Sequence, residues 1–213
     1  ALGDQKGAVI AVNPTTGEVL AMASKPSFDP NTIVEDWDDI VNNQSAAAPL
    51  LNRCTQGLYA PGSTFKIVMA LEYMREHPKD WQDFHFDCDG EYQDPADERY
   101  VVHCYGGETH GSEDLSSAFA NSCNAAFSKI GTLTDPKKLL ETGDALFFNQ
   151  DLPISIASSK SRLKLTTDTD PWTMMQTAIG QGDTMMSPLH EVILSAAIAN
   201  GGVLVEPTLL RQV

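Results

Sequence analysis

The feature that most constrains this chain is an apolar helix that opens on a serine and a lysine. Ser63-Thr64-Phe65-Lys66 follows Ala60-Pro61-Gly62 and leads into Ile67, Val68, Ala70, Leu71 and Met74. Apolar residues at this spacing predict a helix from Ser63 to about Glu76, ending before His77-Pro78 because the residue before proline avoids the helical region. A serine and a lysine at i and i+3 share one helix face, one turn apart. An amine in that position can take the proton of a serine nucleophile. On these four residues alone, Ser63 as a simple helix cap and Lys66 as a solvated surface residue remain an alternative. A second copy of the spacing, Ser161-Arg162-Leu163-Lys164, has no catalytic context around it.

A further polar signal lies downstream. Residues 114–131 are helical in pattern, with Leu115, Ala118, Phe119, Ala126, Phe127 and Ile130 on one face, and Ser122-Cys123-Asn124 interrupts them as a break between two helices. Residues 8–13 and 18–24 read as strands joined by the turn Pro14-Thr15-Thr16-Gly17. A short helix is expected near residues 35–42 and a β-ribbon or irregular stretch over 81–111. Further helices are expected over 136–146, 171–179 and 188–199, each opening on a proline suited to a first helical position. Gly180-Gln181-Gly182 lacks the spacing of a phosphate loop and reads as a turn. The sum is an α+β chain, mostly helical, with one hairpin, and 213 residues suit a single domain.

Charge removes some function classes. A net charge of −15 argues against nucleic acid and against anionic membrane surfaces. No run approaches the ~18 apolar residues of a membrane span. Nor does the N-terminus carry a charged-then-apolar leader pattern.

Taken together, the segments resemble those of penicillin-binding protein transpeptidases. Leu51-Asn52-Arg53 followed by Tyr59-Ala60-Pro61-Gly62-Ser63-Thr64-Phe65-Lys66 is similar to that family's active-site segment. Gly7 to Met22 resembles its first hairpin, and His110-Gly111 leading to Ser122-Cys123-Asn124 resembles its Ser-x-Asn segment. Ile179-Gly180-Gln181-Gly182, Ser187-Pro188-Leu189 and Ala199-Asn200-Gly201-Gly202 resemble the stretch before its last strands. The likeness is nearest to the monofunctional class B branch.

The resemblance implies a β-lactamase/transpeptidase-like fold with a partial antiparallel sheet, the hairpin at 8–24, packed with helices. It implies Ser63 as nucleophile, Lys66 as its base, Ser122 as proton shuttle and Asn124 as a holder of substrate amide or lysine. The implied partners are D-Ala-D-Ala stem peptides, β-lactams and, for a parent protein anchored outside the cytoplasm, membrane proteins of cell-wall synthesis. The family's Lys-Thr-Gly strand has no counterpart in the 213 residues. The chain therefore reads as a partial transpeptidase domain, poorly active alone, with its first strand left as an edge open to a second copy. A serine β-lactamase or β-lactam sensor, and a non-catalytic scaffold of the same fold, are the competing expectations.

Cys54, Cys88, Cys104 and Cys123 are the four cysteines. Outside the cytoplasm, Cys88 and Cys104 are candidates for a disulfide closing the loop between them. Cys54 and Cys123 read as reduced and semi-buried. His85, Cys88, His103, Cys104 and His110 crowd one region, but their spacing fits no standard zinc pattern. Neither a metal nor a cofactor is expected.

Overall fold

The computed structural model of the chain describes residues 2–42 and 48–210. In chain order the strands are β1 (Gly7–Val12), β2 (Val19–Lys25), β3 (Phe86–Cys88), β4 (Glu91–Asp94), β5 (Asp97–His103) and β6 (Gly111–Glu113). The helices are α1 (Trp37–Asn42), α2 (Lys66–Glu76), α3 (Leu115–Ala120), α4 (Asn124–Leu133), α5 (Pro136–Ala145), α6 (Pro171–Ala178) and α7 (Pro188–Ala199). The α+β class is borne out, and each expected helix forms within three residues of its sequence pattern. The chain forms two compact units.

The first unit comprises Ala1–Tyr59, Gln150–Ser161 and Met186–Val213. Its centre is the β1–β2 antiparallel hairpin, in register from Gly7 opposite Lys25 to Ala11 opposite Ala21, with a shift before Val12. The turn is set by Asn13, whose Oδ1 accepts the Thr15 and Thr16 N–H groups at 3.0 and 3.4 Å. Helix α7 packs on β1. Ser187 caps it by accepting the His190 N–H at 3.2 Å, and Pro188 fills its first turn, where no N–H is missed. Among the described residues β1 pairs only with β2.

The second unit comprises Ala60–Asn149 and Arg162–Met185. Its core lies around α4, where Ala125, Ala126, Phe127 and Ile130 are fully enclosed. Burying a side chain the size of Phe127 or Ile130 contributes about 1.5–3 kcal/mol. Gly131 lets α6 come against α4: a Cβ there would sit 2.7 Å from the Met174 carbonyl oxygen. Phe65 packs edge-to-face on Phe148, with ring centroids 5.6 Å apart. The expected ribbon over 81–111 is two short antiparallel ladders, β3 with β6 and β4 with β5.

Candidate active site

Each functional side chain is placed by a local backbone device in the second unit. The segment carrying Ser63 opens as a 3-10 turn over Gly62–Phe65 before α2 begins at Lys66. A pure α-helix from Ser63 was the expectation. The tighter first turn differs from it, with the Lys66 N–H directed at the carbonyls of Ser63 and Thr64. The turn at Ile179–Gly182 presses directly on this start. Gly62 N–H donates to the Gly180 carbonyl at 2.9 Å. Gly180 has φ +68°, and a Cβ on it would fall 2.0 Å from the Gly62 oxygen, so only glycine fits.

Ser63 is exposed, and its hydroxyl makes no hydrogen bond among the described residues, so it does not act as a cap. The hydroxyl that braces the turn is Thr64 Oγ1, which donates to the Pro61 carbonyl at 2.8 Å.

Lys66 turns inward and is 1% exposed. Its ammonium donates to the Ser122 carbonyl at 2.6 Å, to Ser122 Oγ at 3.1 Å and to Asn124 Oδ1 at 2.8 Å. An ammonium has three N–H bonds, so each finds an acceptor. Burial pulls the lysine from its ordinary 10.5 down to about 8, against the opposing fields of Cys123, Cys104 and Glu113. At pH 7 about a tenth of the side chain is then neutral.

Ser122 closes α3 in a Schellman arrangement. Its own N–H donates to the Phe119 carbonyl at 3.1 Å, and the Cys123 N–H reaches the Ala118 carbonyl at 2.9 Å. Ser122 occupies the left-handed position of that motif, φ +52°, which usually falls to glycine. A serine there bears backbone strain in order to present both its carbonyl and its hydroxyl to Lys66. Cys123 follows at once as the N-cap of α4, its sulfur accepting the Ala126 N–H at 3.3 Å. Asn124 is the first residue of α4, and its Nδ2 donates to the His103 carbonyl at 3.2 Å.

Ser63, Ser122 and Asn124 line one cleft of about 450 Å³, together with Asn121, His110, Glu108 and Gln181. The structure thus brings Lys66, Ser122 and Asn124 into direct contact, and Ser63 opens onto the same space without bonding to Lys66. Apo enzymes often hold such contacts long until substrate arrives. The second Ser-x-x-Lys copy does not form a pair. Ser161 is buried and accepts the Ser187 N–H at 3.2 Å, while Lys164 pairs with Asp183 at 3.5 Å.

Two features escape the sequence reading. Glu113, at the end of β6, is 1% exposed, and its Oε1 accepts from Asn121 Nδ2 at 2.6 Å while Oε2 has no partner among the described residues. Its negative charge acts on Lys66 through space, and its hydrogen bond holds the residue before Ser122. The second is a group of ligand atoms from Cys88, Cys104, His110 and Cys123, all within 4.8 Å of one another. No metal was expected here: Cys88, Cys104 and His110 stand among the crowded ligand-type residues, but their spacing fits no standard zinc pattern, and Cys123, from a separate segment, was not grouped with them.

All four cysteines are free thiols, so the anticipated Cys88–Cys104 disulfide is not formed. Cys104 Sγ lies 3.7 Å from both Cys88 Sγ and Cys123 Sγ, and His110 Nδ1 lies 3.4 Å from Cys88 Sγ and 3.7 Å from Cys104 Sγ. Four donors around a zinc ion, with bonds of ~2.0–2.3 Å, would stand about 3.5–3.8 Å apart. The residues therefore suit a soft divalent cation. His110 Nε2 faces Glu108 Oε2 at 3.9 Å, the kind of outer partner that fixes a ligating imidazole. Burial raises the Cys123 and Cys104 thiols. Burial raises that of Cys88 too, but hydrogen bonds from His110, Gly90 and Cys123 outweigh it and bring the thiol to about 7.

Comparison with known proteins decides the ancestry. Residues 7–213 match the penicillin binding protein transpeptidase domain family, a span that runs through both units. The chain belongs to this family. The peptidoglycan D,D-transpeptidases PbpA of Mycolicibacterium smegmatis and of Mycobacterium tuberculosis are 29% and 31% identical to it over 99% and 98% of its length. Penicillin-binding protein A of M. tuberculosis, solved as a ceftriaxone acyl-enzyme complex, superimposes with a TM-score of 0.84 at 29% identity, over 95% of this chain and 47% of that one. Penicillin-binding protein 2 of Pseudomonas aeruginosa, in complex with WCK 5153, gives 0.87 at 25% identity, over 99% and 50%. The chain spans less than half the length of the curated PbpA relatives, 44% and 43%.

Proposed function

We propose that this chain carries the nucleophile side of a peptidoglycan D,D-transpeptidase site, with Ser63 as nucleophile, Lys66 as base, Ser122 as proton relay and Asn124 as the group that holds lysine or substrate amide. The carrying observation is the convergence of Lys66 on Ser122 and Asn124 at a cleft that Ser63 shares. Neutral Lys66 accepts the Ser63 proton as the oxygen adds to the carbonyl of a D-Ala-D-Ala stem peptide. The proton passes through Ser122 to the departing D-alanine amine, leaving an ester on Ser63. An amine from a neighbouring peptide then takes the acyl group. A β-lactam supports the first step and blocks the second, since its leaving group stays attached.

The Ser63 N–H provides one oxyanion donor. The second is expected from a Lys-Thr-Gly strand, which these 213 residues do not contain. Losing one such donor lowers the rate by ~10²–10³. In the full-length protein a fluorescent penicillin should label Ser63, mapped by mass spectrometry, and Ser63→Ala should abolish labelling. The 213-residue chain should label slower by roughly that factor. Labelling of full-length protein at another residue, or none, refutes the assignment. The same reading locates the active protein on the outer face of the cytoplasmic membrane, held by an anchor in the parent protein and working with membrane proteins of cell-wall synthesis. Among the described residues no helix is long and apolar enough to cross a membrane. Pairing of two copies through the β1 edge belongs to the same proposal, and a concentration-independent monomer mass in sedimentation would dismiss it.

A further inference from the structure

The walls of the Ser63 cleft are rich in hydrogen-bond acceptors and poor in cations. Among the described residues no lysine or arginine side chain lines it, and its one carboxylate is Glu108. Lys66 directs all three of its N–H bonds at Ser122 and Asn124. We propose that Glu108 and Asn121 form the subsite that receives the ammonium group of the acceptor peptide before its nitrogen takes the acyl group from Ser63. This role rests on the transpeptidase reading and adds to it how the second substrate is recognised.

Asn121 is aimed by a buried carboxylate. Glu113, 1% exposed, offers only acceptor oxygens when charged, so it takes the N–H of Asn121 Nδ2 at 2.6 Å. That contact fixes which way the amide faces. Oδ1, on the opposite branch, has no partner among the described residues, and Asn121 is exposed at the cleft. Glu108 reaches the same cleft from a different segment. Its N–H donates to the Tyr105 carbonyl at 3.2 Å, closing a turn in which Gly106 and Gly107 have φ of +63° and +74°. Its side chain is 70% exposed, and Oε2 stands 3.9 Å from His110 Nε2, beyond hydrogen-bond reach. A fixed amide oxygen and an open carboxylate suit an ammonium, which brings three N–H bonds and a positive charge. They repel a carboxylate and give a neutral nucleophile no charge to pair.

The step that follows balances within the site. The bound ammonium gives one proton to solvent and becomes a nucleophile. Its nitrogen adds to the ester carbonyl, the C–N bond forms and the bond from that carbon to Ser63 Oγ breaks. A second amine proton goes to Ser63 Oγ, leaving an amide and a free hydroxyl. Water has no positive charge for Glu108 to attract, so the subsite favours transfer over hydrolysis.

The test gives the full-length protein a D-alanyl thioester as acyl donor, with D-alaninamide or hydroxylamine as acceptor at pH 7. An α-amino group is mostly cationic at this pH. Hydroxylamine is mostly neutral. The quantity read is the acceptor concentration at which acyl groups divide equally between amine and water. Glu108→Gln should raise it for D-alaninamide by about 2–5-fold, the scale of an exposed ion pair. Asn121→Ala should raise it by about tenfold or more, the scale of a hydrogen bond to a charged group. Hydroxylamine should stay level in both variants, which a merely disturbed cleft would not allow. Glu108 is exposed, so Glu108→Gln decides the matter even if Asn121→Ala does not fold. The subsite is overturned if wild-type protein transfers the acyl group but Glu108→Gln leaves D-alaninamide unmoved, or if both acceptors shift alike. No acylation of Ser63 by the thioester would sink the transpeptidase reading itself, and the subsite with it.

Discussion

Ser122 offers the sharpest test of how this site is built, through two substitutions that differ only in backbone preference. Ser122→Ala and Ser122→Gly both delete the hydroxyl that accepts from Lys66 at 3.1 Å, and both keep the carbonyl that accepts at 2.6 Å. Those losses cancel in the comparison. What remains is the left-handed backbone at φ +52°. A residue with a Cβ bears about 1–2 kcal/mol there. Glycine escapes that strain but loses about 0.5–1 kcal/mol through its freer unfolded chain. The glycine variant should therefore be more stable than the alanine variant by about 0.75 kcal/mol at the centre of those ranges, a melting difference of about 1.5–3 °C for a chain of this size. Differential scanning calorimetry of the two proteins side by side reads this directly, and both should be equally impaired in β-lactam acylation of the full-length protein. If alanine proves as stable as glycine, the strain argument is wrong, and with it the claim that a serine is kept here for what it presents to Lys66.

The remaining tests concern the base, its counter-charge and the core. Lys66 has a folded value of about 8, below its ordinary 10.5, so the unfolded chain holds the extra proton between those values. Stability from this group is lowest below pH 8 and rises as the pH climbs through 8 toward 10.5, and Lys66→Met should flatten that rise in urea titrations. With the neutral amine as base, as proposed above, acylation of the full-length protein should climb with pH through an apparent value near 8 in a rate–pH profile. Glu113→Gln removes negative charge that favours protonated Lys66, so the same profile should shift to lower pH, and an unmoved profile would show that Glu113 only packs. Gly131→Val would drive a side chain into the Met174 carbonyl, 2.7 Å from where its Cβ must sit, and should lower stability by about 1–3 kcal/mol in thermal melts.

The sequence by itself determined whatever depends on neighbours along the chain. The spacing of Ser63 and Lys66, the prolines that open α5, α6 and α7, and the interruption at Ser122-Cys123-Asn124 are local patterns, and the helices they predict are present. Family likeness then carried the fold, since the matched segments fall in the same order. Tertiary structure alone decided which way Lys66 turns, because three acceptors 56 and 58 residues away outbid solvent for its ammonium. It also decided that the charge of Glu113 acts on that lysine and that Cys88, Cys104, His110 and Cys123 gather in one place. The physical reason is common to all three: a hydrogen bond, a field or a ligand set depends on distance in space, and residues contributed by separate strands and helix ends leave no period in the sequence to reveal it.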